Sequence, residues 1–162
     1  MNVNLDSLGI DILQLKKYLK KNTKIKNNRL FNIKTKRYIT AIVPLHLYGY
    51  PCQIDEVLKI AKVYKLKVLE DAAESVGSFF KKKHLGTFGD VGALSFNGNK
   101  IITSGGGGAL ITNNEKIAIQ ARKLANVAKK KHSWKMVFSE KGYNYRMPNI
   151  NAALGFSQLQ KI

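Results

Sequence analysis

Residues 41–71, AIVPLHLYGYPCQIDEVLKIAKVYKLKVLED, contain the pattern that decides the fold of this chain. The nearly continuous apolar run at residues 41–47 predicts a strand buried on both faces, and it ends before Gly49. Apolar residues then recur at helical spacing over residues 54–64, and residues 67–70 predict a second short strand. Strand, helix and strand over about thirty residues are typical of a βαβ unit. We therefore expect an α/β domain with a parallel sheet.

The flanking sequence extends this α/β pattern in both directions. Upstream, residues 13–19 have the apolar spacing of a helix, whereas residues 20–37 are polar and basic without a clear period, which predicts a loop. Asn113 or Asn114 is expected to cap a downstream helix, and Pro148 precedes another. The predicted downstream elements are strands at 91–96, 101–103 and 109–112, a glycine turn at 105–108, and helices at 115–129 and 149–159.

Composition limits the class of protein without selecting a function. The 162 residues are 44% hydrophobic, which is enough for one domain with a core. The net charge of +18 favours anionic partners in general, including nucleic acid. The basic residues are not interleaved with aromatic side chains, so solvated lysine-rich faces are the expected explanation. The basic runs are Lys16-Lys17, Lys20-Lys21, Lys81-Lys82-Lys83 and Lys129-Lys130-Lys131.

Membrane, disulfide and metal chemistry are all predicted to be absent. No apolar stretch is long enough to cross a bilayer and no cleavable leader is recognisable, so we expect a soluble cytoplasmic protein. Cys52 is the single cysteine and cannot form an internal disulfide. No second thiol is available to join His46, His84 or His132 in a cysteine-based metal site.

Three polar residues follow predicted strands, where α/β sheets carry their functional groups. Asp71 comes directly after the second strand of the βαβ unit, Ser95 lies at the end of the next strand, and Lys100 lies in the turn of residues 97–100. Each has an ordinary alternative, since an Asp after a strand is often a helix cap, a Ser in a strand is usually structural and a turn Lys usually faces solvent.

Together, these three side chains supply the groups that an aldehyde cofactor needs. A lysine amine can form a Schiff base, a carboxylate can keep a pyridine nitrogen protonated, and a hydroxyl near backbone amides can bind a phosphate. Many α/β proteins have an Asp, a Ser and a Lys in loops, so the spacing alone leaves the ordinary alternatives open.

Six ordered motifs make the pattern specific. The chain closely resembles the DegT/DnrJ/EryC1/StrS family of nucleotide-sugar aminotransferases, from about Leu8 onward. The motifs that carry the resemblance are VPLHLYG (43–49), VLEDAAES (68–75), GTFGD (86–90), LSFNGNK (94–100), TSGGGG (103–108) and GYNYRM (142–147).

The resemblance implies a pyridoxal 5′-phosphate cofactor and a role for each matching residue. Lys100 would carry the cofactor and later move the proton, and Asp71 would pair with the pyridine nitrogen. Ser95 would hold the phosphate, while Asn144 would reach the cofactor phosphate of a neighbouring subunit in a dimer. Glu74 falls where many members have a glutamine near the phenolic oxygen of the cofactor, and an ionised carboxylate there would oppose the phenolate unless it is turned away.

The resemblance also implies the fold and the domain organisation. We expect part of the large domain of a type I, aspartate aminotransferase-like transferase, with a mixed, mostly parallel sheet and flanking helices. Family members are more than twice as long as this chain. Residues 1–162 are therefore expected to form one partial domain, the central segment of the cofactor-binding large domain, without the N-terminal cofactor loop and the C-terminal small domain.

The expected reaction follows from the same resemblance. Some members have a histidine in place of this lysine and dehydrate sugars instead of aminating them, so Lys100 implies transamination. The sequences AAES (72–75) and SFNGNK (95–100), together with Gly106 in place of a common glutamate, are similar to those of one branch of the family. That branch aminates C4 of UDP-linked 4-keto-6-deoxy-N-acetyl sugars on the way to bacillosamine or legionaminic acid. Glutamate would be the amino donor, and the product would serve cell-surface glycans.

Two alternatives of other classes remain at this stage. The chain could be a non-catalytic fragment or partner subunit, either paired with a complete enzyme or supplied with the missing segments by another chain. It could also be a lysine-rich nucleic-acid-binding protein, which predicts salt-dependent binding to DNA or RNA and no bound cofactor.

Overall fold

The computed structural model describes residues 3–130 and 134–162. Lys131 of the predicted basic run and His132, considered above as a metal ligand, lie outside this part of the chain. The helices and strands are α1 (Ile12–Asn22), β1 (Thr23–Lys26), β2 (Arg29–Asn32), β3 (Arg37–Ile39), β4 (Ala41–Ile42), α2 (Ile54–Tyr64), β5 (Lys67–Asp71), β6 (Phe79–Phe80), β7 (Lys83–His84), β8 (Val91–Ser95), β9 (Gly108–Ile111), α3 (Glu115–Ala125) and α4 (Asn149–Leu159). A short 3₁₀ turn lies at Leu47–Gly49.

A four-stranded sheet with the order β4-β5-β8-β9 organises the domain. Strands β4, β5 and β8 are parallel, and β9 is antiparallel to β8. Helix α2 connects β4 to β5, so the predicted βαβ unit is confirmed. The fold is therefore α/β with a mixed, mostly parallel sheet, as expected.

Helix α2 has the bounds that the apolar spacing predicts, and its ends explain why it stops there. Asp55 and Glu56 lie in its first turn, where carboxylates interact favourably with the helix dipole. Lys65 ends the helix in the left-handed conformation with φ 55°. Helices α1 and α2 enclose the main core, which consists of Ile12, Leu15, Leu19, Leu30, Cys52, Ile54, Val57, Ile60, Ala61, Leu66 and Val68.

Strand β4 is shorter and less buried than predicted. Pro44 cannot donate a ladder hydrogen bond, and the regular strand ends at Ile42. Beyond it, Pro44 and His46 are buried, whereas the side chain of Val43 is 58% exposed. The segment lies at the edge of the sheet with one face uncovered, so the expectation of burial on both faces is wrong.

The predicted loop at residues 20–37 is also wrong, because α1 continues to Asn22 and β1, β2 and β3 then form an antiparallel sheet. Asn27 and Asn28 connect β1 to β2 with φ values of 49° and 58°. Two consecutive positive φ values are typical of the tight hairpin turn that asparagine tolerates. Leu30 is 1% exposed and packs in the main core.

Residues 101–103 do not form the predicted strand. The side chain of Gln158 in α4 donates to the carbonyl of Thr103 and accepts from its backbone N–H, at 2.9 and 3.0 Å. A side chain thus takes the place of a neighbouring strand. Helix α3 ends four residues before the predicted Lys129, because Val127 and Ala128 both have φ 52° and cannot continue a right-handed helix.

Among the described residues, no helix is both long and apolar enough to span a membrane.

Candidate active site

Asp71 and Ser95 lie at the same edge of the central sheet. Asp71 is the last residue of β5 and pairs with Ala93 of the parallel strand β8, which ends two residues later at Ser95. Both residues are partly buried. Because carboxyl ends of parallel strands form the usual ligand crevice of such sheets, these side chains are placed where chemistry is expected.

Lys100 reaches this edge from a tight turn. Its backbone N–H donates to the carbonyl of Asn97 at 3.1 Å, which closes the predicted turn. Its Nζ donates to Glu74 Oε1 at 3.0 Å. The side chain of Lys100 is 16% exposed and that of Glu74 is 25% exposed, so the pair is largely shielded from water. A shielded lysine of this kind is not the solvent-facing turn residue of the ordinary alternative.

Glu74 is held on its other oxygen by a strained turn. The backbone N–H of Tyr48 donates to Glu74 Oε2 at 2.8 Å, and Tyr48 has a φ of 52°. Hydrogen bonds from Lys100 and from Tyr48 hold the pKa of Glu74 below its usual value. The carboxylate is ionised, and both of its oxygens accept hydrogen bonds, one from Lys100 and one from Tyr48. The negative charge that would repel a phenolate oxygen is thus directed to these two donors.

Asp71 is fixed mainly through its backbone. Its N–H donates to the carbonyl of Pro44 at 2.8 Å, and its carbonyl accepts from the N–H of His46 at 3.0 Å. Its Oδ1 accepts from the N–H of Ala73 at 3.2 Å. Oδ1 can accept a further hydrogen bond, and no other hydrogen bond within the described chain engages the carboxylate, so it has capacity for a protonated nitrogen.

Ser95 is the last residue of β8 and pairs with Gly108, the last glycine of the glycine run. Its Oγ accepts from the N–H of Asn97 at 3.3 Å, which leaves the hydroxyl proton able to donate. A Cβ added at Gly98 or Gly106 would meet no described atom within 4 Å. An amine, a carboxylate, a hydroxyl and open glycine backbone at one sheet edge fit the chemistry of pyridoxal phosphate, the cofactor that the motifs imply.

Asn144 is not brought to this cluster. It is exposed and forms an isolated backbone bridge with Asn126, beyond the end of α3. No hydrogen bond within the described chain joins its side chain to Asp71, Ser95 or Lys100. Its surface position is compatible with the expected contact to a neighbouring subunit.

The sequence reasoning missed a buried polar group below Asp71. His46 and Glu70 are both fully buried, and His46 Nε2 lies 2.9 Å from Glu70 Oε2. Both residues were visible in the motifs VPLHLYG and VLEDAAES, but only as parts of a resemblance. Polar side chains in the middle of apolar strand runs were the available signal, because a buried charge needs a partner.

Metal ligation has no counterpart in the described residues. No group of three or more His, Cys, Asp and Glu side chains within residues 3–130 and 134–162 is arranged to hold a metal ion.

Comparison with known proteins identifies a family and several relatives of this chain. The model of the DegT/DnrJ/EryC1/StrS aminotransferase family matches residues 2–162. GDP-perosamine synthase from Caulobacter vibrioides is 44% identical over 124 residues, which cover 75% of this chain and 33% of that protein. GDP-perosamine synthase from Escherichia coli O157:H7 is 44% identical over 123 residues, with the same coverage. The chain thus spans about a third of the length of these curated relatives.

Solved structures agree with the sequence relatives. A DegT/DnrJ/EryC1/StrS aminotransferase from Brucella abortus superposes with a TM-score of 0.83 at 30% identity, covering 99% of this chain and 40% of that one. PseC from Helicobacter pylori, an aminotransferase involved in the biosynthesis of pseudoaminic acid, superposes with a TM-score of 0.81 at 27% identity, covering 99% and 39%. The fold of the chain is therefore that of part of a sugar aminotransferase.

Proposed function

This chain belongs to the DegT/DnrJ/EryC1/StrS aminotransferase family, and we propose that it contributes the catalytic lysine to pyridoxal phosphate-dependent transamination of a nucleotide-linked keto-sugar. The family is one of aminotransferases. A relative that is 45% identical over 120 residues, EpsN of Bacillus subtilis, is a putative pyridoxal phosphate-dependent aminotransferase. The observation that carries the proposal is the shielded Lys100, paired with Glu74 at the sheet edge that also bears Asp71 and Ser95.

Each residue of the cluster has a distinct task in the proposal. When bound, the cofactor supplies an aldehyde that exchanges for an amine and a ring that withdraws electrons. Lys100 would hold the cofactor at its aldehyde group and would move a proton to and from the substrate carbon. Asp71 would hold the proton on the pyridine nitrogen, and the Ser95 hydroxyl would donate to the phosphate.

Glu74 takes a different task from the one the family glutamine suggests. Its carboxylate accepts from Lys100 Nζ and from the N–H of Tyr48, so it keeps the amine next to the cofactor aldehyde before attachment. An ion pair shielded from solvent orients a flexible lysine side chain more strictly than an exposed one does. Glu74 is in this account a binding residue of the cofactor site through Lys100.

The assembly is part of the same proposal. Residues 1–162 form the central segment of a cofactor-binding large domain, and Asn144 completes the phosphate site of a neighbouring subunit in a dimer. The exposure of Asn144, which bridges to Asn126 beyond the end of α3, supports a role at a surface. A cytoplasmic site of action and a use in cell-surface glycans are carried over from the family resemblance.

The proposed substrate is a UDP-linked 4-keto-6-deoxy-N-acetylhexosamine, with glutamate as amino donor. The similarity of residues 72–75 and 95–100 to the family branch that aminates such sugars supports this choice. A GDP-linked keto-sugar is the second candidate, because curated relatives at 44% identity are GDP-perosamine synthases. Both candidates share a ketone to be aminated and a nucleoside diphosphate to be held by the basic surface.

Half-reactions of the purified chain with pyridoxal phosphate test the proposal. Glutamate should abolish the absorbance of the aldehyde form of the cofactor and release 2-oxoglutarate, and the keto-sugar should then restore the absorbance. Mass spectrometry of the sugar product, with UDP-linked and GDP-linked ketones in parallel, identifies the nucleotide. Lys100→Ala should abolish both halves, while Lys82→Ala, an exposed lysine, should leave them unchanged. Glutamate turnover that persists in Lys100→Ala would overturn the proposal.

A further inference from the structure

His46 and Glu70 form a buried hydrogen-bonded pair that the proposed reaction does not use. Both side chains are 0% exposed, and His46 Nε2 lies 2.9 Å from Glu70 Oε2. Burying a carboxylate is costly unless its oxygens are satisfied by hydrogen bonds. The pair therefore demands an explanation in its surroundings.

The hydrogen bonds around the pair determine its protonation. The backbone N–H of Cys52 donates to His46 Nδ1 at 3.3 Å, so Nδ1 carries a lone pair and the ring proton lies on Nε2. That proton is donated to Glu70. The imidazole is consequently neutral, and the negative charge of Glu70 remains in the interior.

Two backbone donors complete the carboxylate site. Gly86 donates its N–H to Glu70 Oε2 at 2.9 Å, and Gly89 donates its N–H to Oε1 at 2.6 Å. Burial opposes ionisation, but the hydrogen bonds from His46, Gly89 and Gly86 outweigh it and lower the pKa of Glu70. The loop of residues 86–89 is thus bound to the strand that carries Asp71. Strand β8 passes so close to this loop that a Cβ at Gly92 would lie 2.1 Å from the carbonyl oxygen of Gly86.

The segment that carries His46 is hydrogen-bonded to the backbone of Asp71. The segment that carries His46 accepts the N–H of Asp71 at Pro44 and donates to its carbonyl from His46. Glu70 and Asp71 are consecutive in β5, so their side chains point to opposite faces of the sheet. Movement of His46 on one face would be transmitted to Asp71 on the other through these two backbone hydrogen bonds.

We propose that His46 and Glu70 are positioning residues for Asp71: the buried carboxylate locks the imidazole in one neutral tautomer, and the locked imidazole fixes the backbone that presents Asp71. The benefit to cofactor binding rests on the proposed function of Asp71. The effect on the Asp71 backbone is independent of that function, because the hydrogen bonds involved all lie within this chain.

The first test needs no cofactor. Nitrogen NMR of His46 in the purified chain should show the ring proton on Nε2 and a bare Nδ1 that accepts from Cys52. A proton on Nδ1 would overturn the proposal. This measurement uses the unaltered protein, so it decides even if substitutions of the pair prevent folding.

The second test compares Glu70→Gln with Cys52→Ala. Cys52 is 2% exposed beside the pair, and its substitution removes core packing while it retains the backbone N–H that binds His46. Glu70→Gln should accelerate hydrogen exchange at the amides of Asp71 and His46 about tenfold beyond any global effect, the size of one lost buried hydrogen bond. Cys52→Ala should change both amides only in proportion to global stability. Equal behaviour of the two variants would overturn the proposal.

Cofactor affinity separates this inference from the proposed function. If the unaltered chain binds pyridoxal phosphate, Glu70→Gln should weaken binding about tenfold, and Cys52→Ala should not. Unchanged affinity in Glu70→Gln would refute the positioning role toward the cofactor. Absence of binding to the unaltered chain would refute the proposed function, while the exchange comparison would still decide whether the pair holds Asp71.

Discussion

Lys100 Nζ and Glu74 Oε1 lie 3.0 Å apart, although 26 residues separate them in the chain. The pair joins the turn before residue 101 to the turn that follows Asp71. Because the second oxygen of Glu74 accepts from the N–H of Tyr48, one carboxylate links three segments at the sheet edge.

The amide of Tyr48 should therefore report the ionisation of Glu74. The pKa of Glu74 lies below its usual 4.5, chiefly because Lys100 donates to it. We expect the Tyr48 amide proton shift to titrate with a midpoint below 4.5 in the unaltered chain. In Lys100→Met, the midpoint should rise toward 4.5, as followed by NMR between pH 2 and pH 7.

Lys82→Met is the matched control, since Lys82 is exposed. Its titration should overlay that of the unaltered chain. A midpoint at Tyr48 that does not respond to Lys100→Met would mean that the ion pair does not form in solution.

Glu70 should make folding stability dependent on pH. Its folded pKa is depressed, so the ionised form stabilises the fold above the usual carboxyl range and this contribution is lost as the pH falls below about 4.5. At pH 7, Glu70→Gln should lower the free energy of unfolding by about 3 kcal/mol, since it leaves buried donors poorly matched. The difference from the unaltered chain should shrink in urea unfolding experiments at pH 4 and below.

Glu56 offers a surface comparison. It forms ion pairs with Lys16 and Lys59, both of which are more than half exposed. Glu56→Gln should leave the free energy of unfolding nearly unchanged, because solvent screens ion pairs at the surface. An equal cost for Glu56→Gln and Glu70→Gln would contradict the account of the buried pair.

The thiol of Cys52 should be unreactive in the native chain. Burial, and next the charge of Glu70, raise the pKa of this thiol to about 12, so the reactive thiolate is scarce at pH 8. A disulfide reagent should modify it only as fast as the protein unfolds, and rapidly in urea. Because Cys52 is the single cysteine, the coloured thiol released by the reagent reports this site alone. Fast modification without denaturant would show that Cys52 and the neighbouring His46 are accessible to solvent, against this prediction.

Substitutions at Asn28, in the turn between β1 and β2, should change stability according to how well the new residue tolerates a positive φ. Asn28 has φ 58°, a region that a β-branched side chain strongly disfavours. Asn28→Val should lower the free energy of unfolding by about 1–2 kcal/mol, whereas Asn28→Gly should be neutral or stabilising. Equal stability of the two variants in urea unfolding would argue against the hairpin between β1 and β2.

Local patterns in the sequence predicted the central layer of the fold. Helix α2 and strand β5 follow from apolar spacing, because each buries one continuous face against the same core. The sheet of β1 to β3 escaped prediction since its short, basic strands alternate weakly, and the signal lay in two asparagines in the turn. Residues 101–103 were misassigned as a strand because Gln158, 55 residues away, satisfies the backbone N–H and carbonyl of Thr103.

The candidate site was predictable in its residues but not in its contacts. Asp71, Ser95 and Lys100 were recognisable from their positions after strands and from the motifs. The partner of Lys100 was not, because the ion pair depends on how two turns meet in space. His46 and Glu70 are separated by 24 residues, and only the fold reveals that they are joined by a buried hydrogen bond.

The most direct test of the central claim is to map pyridoxal phosphate on the protein. The chain is incubated with the cofactor, reduced with borohydride, digested and analysed by mass spectrometry, with Lys100→Ala and Lys82→Ala treated in the same way. The account predicts that the reduced cofactor lies predominantly on the peptide containing Lys100, and that this signal persists in Lys82→Ala and disappears in Lys100→Ala. Label spread over the exposed lysines, with no preference for Lys100, would contradict it.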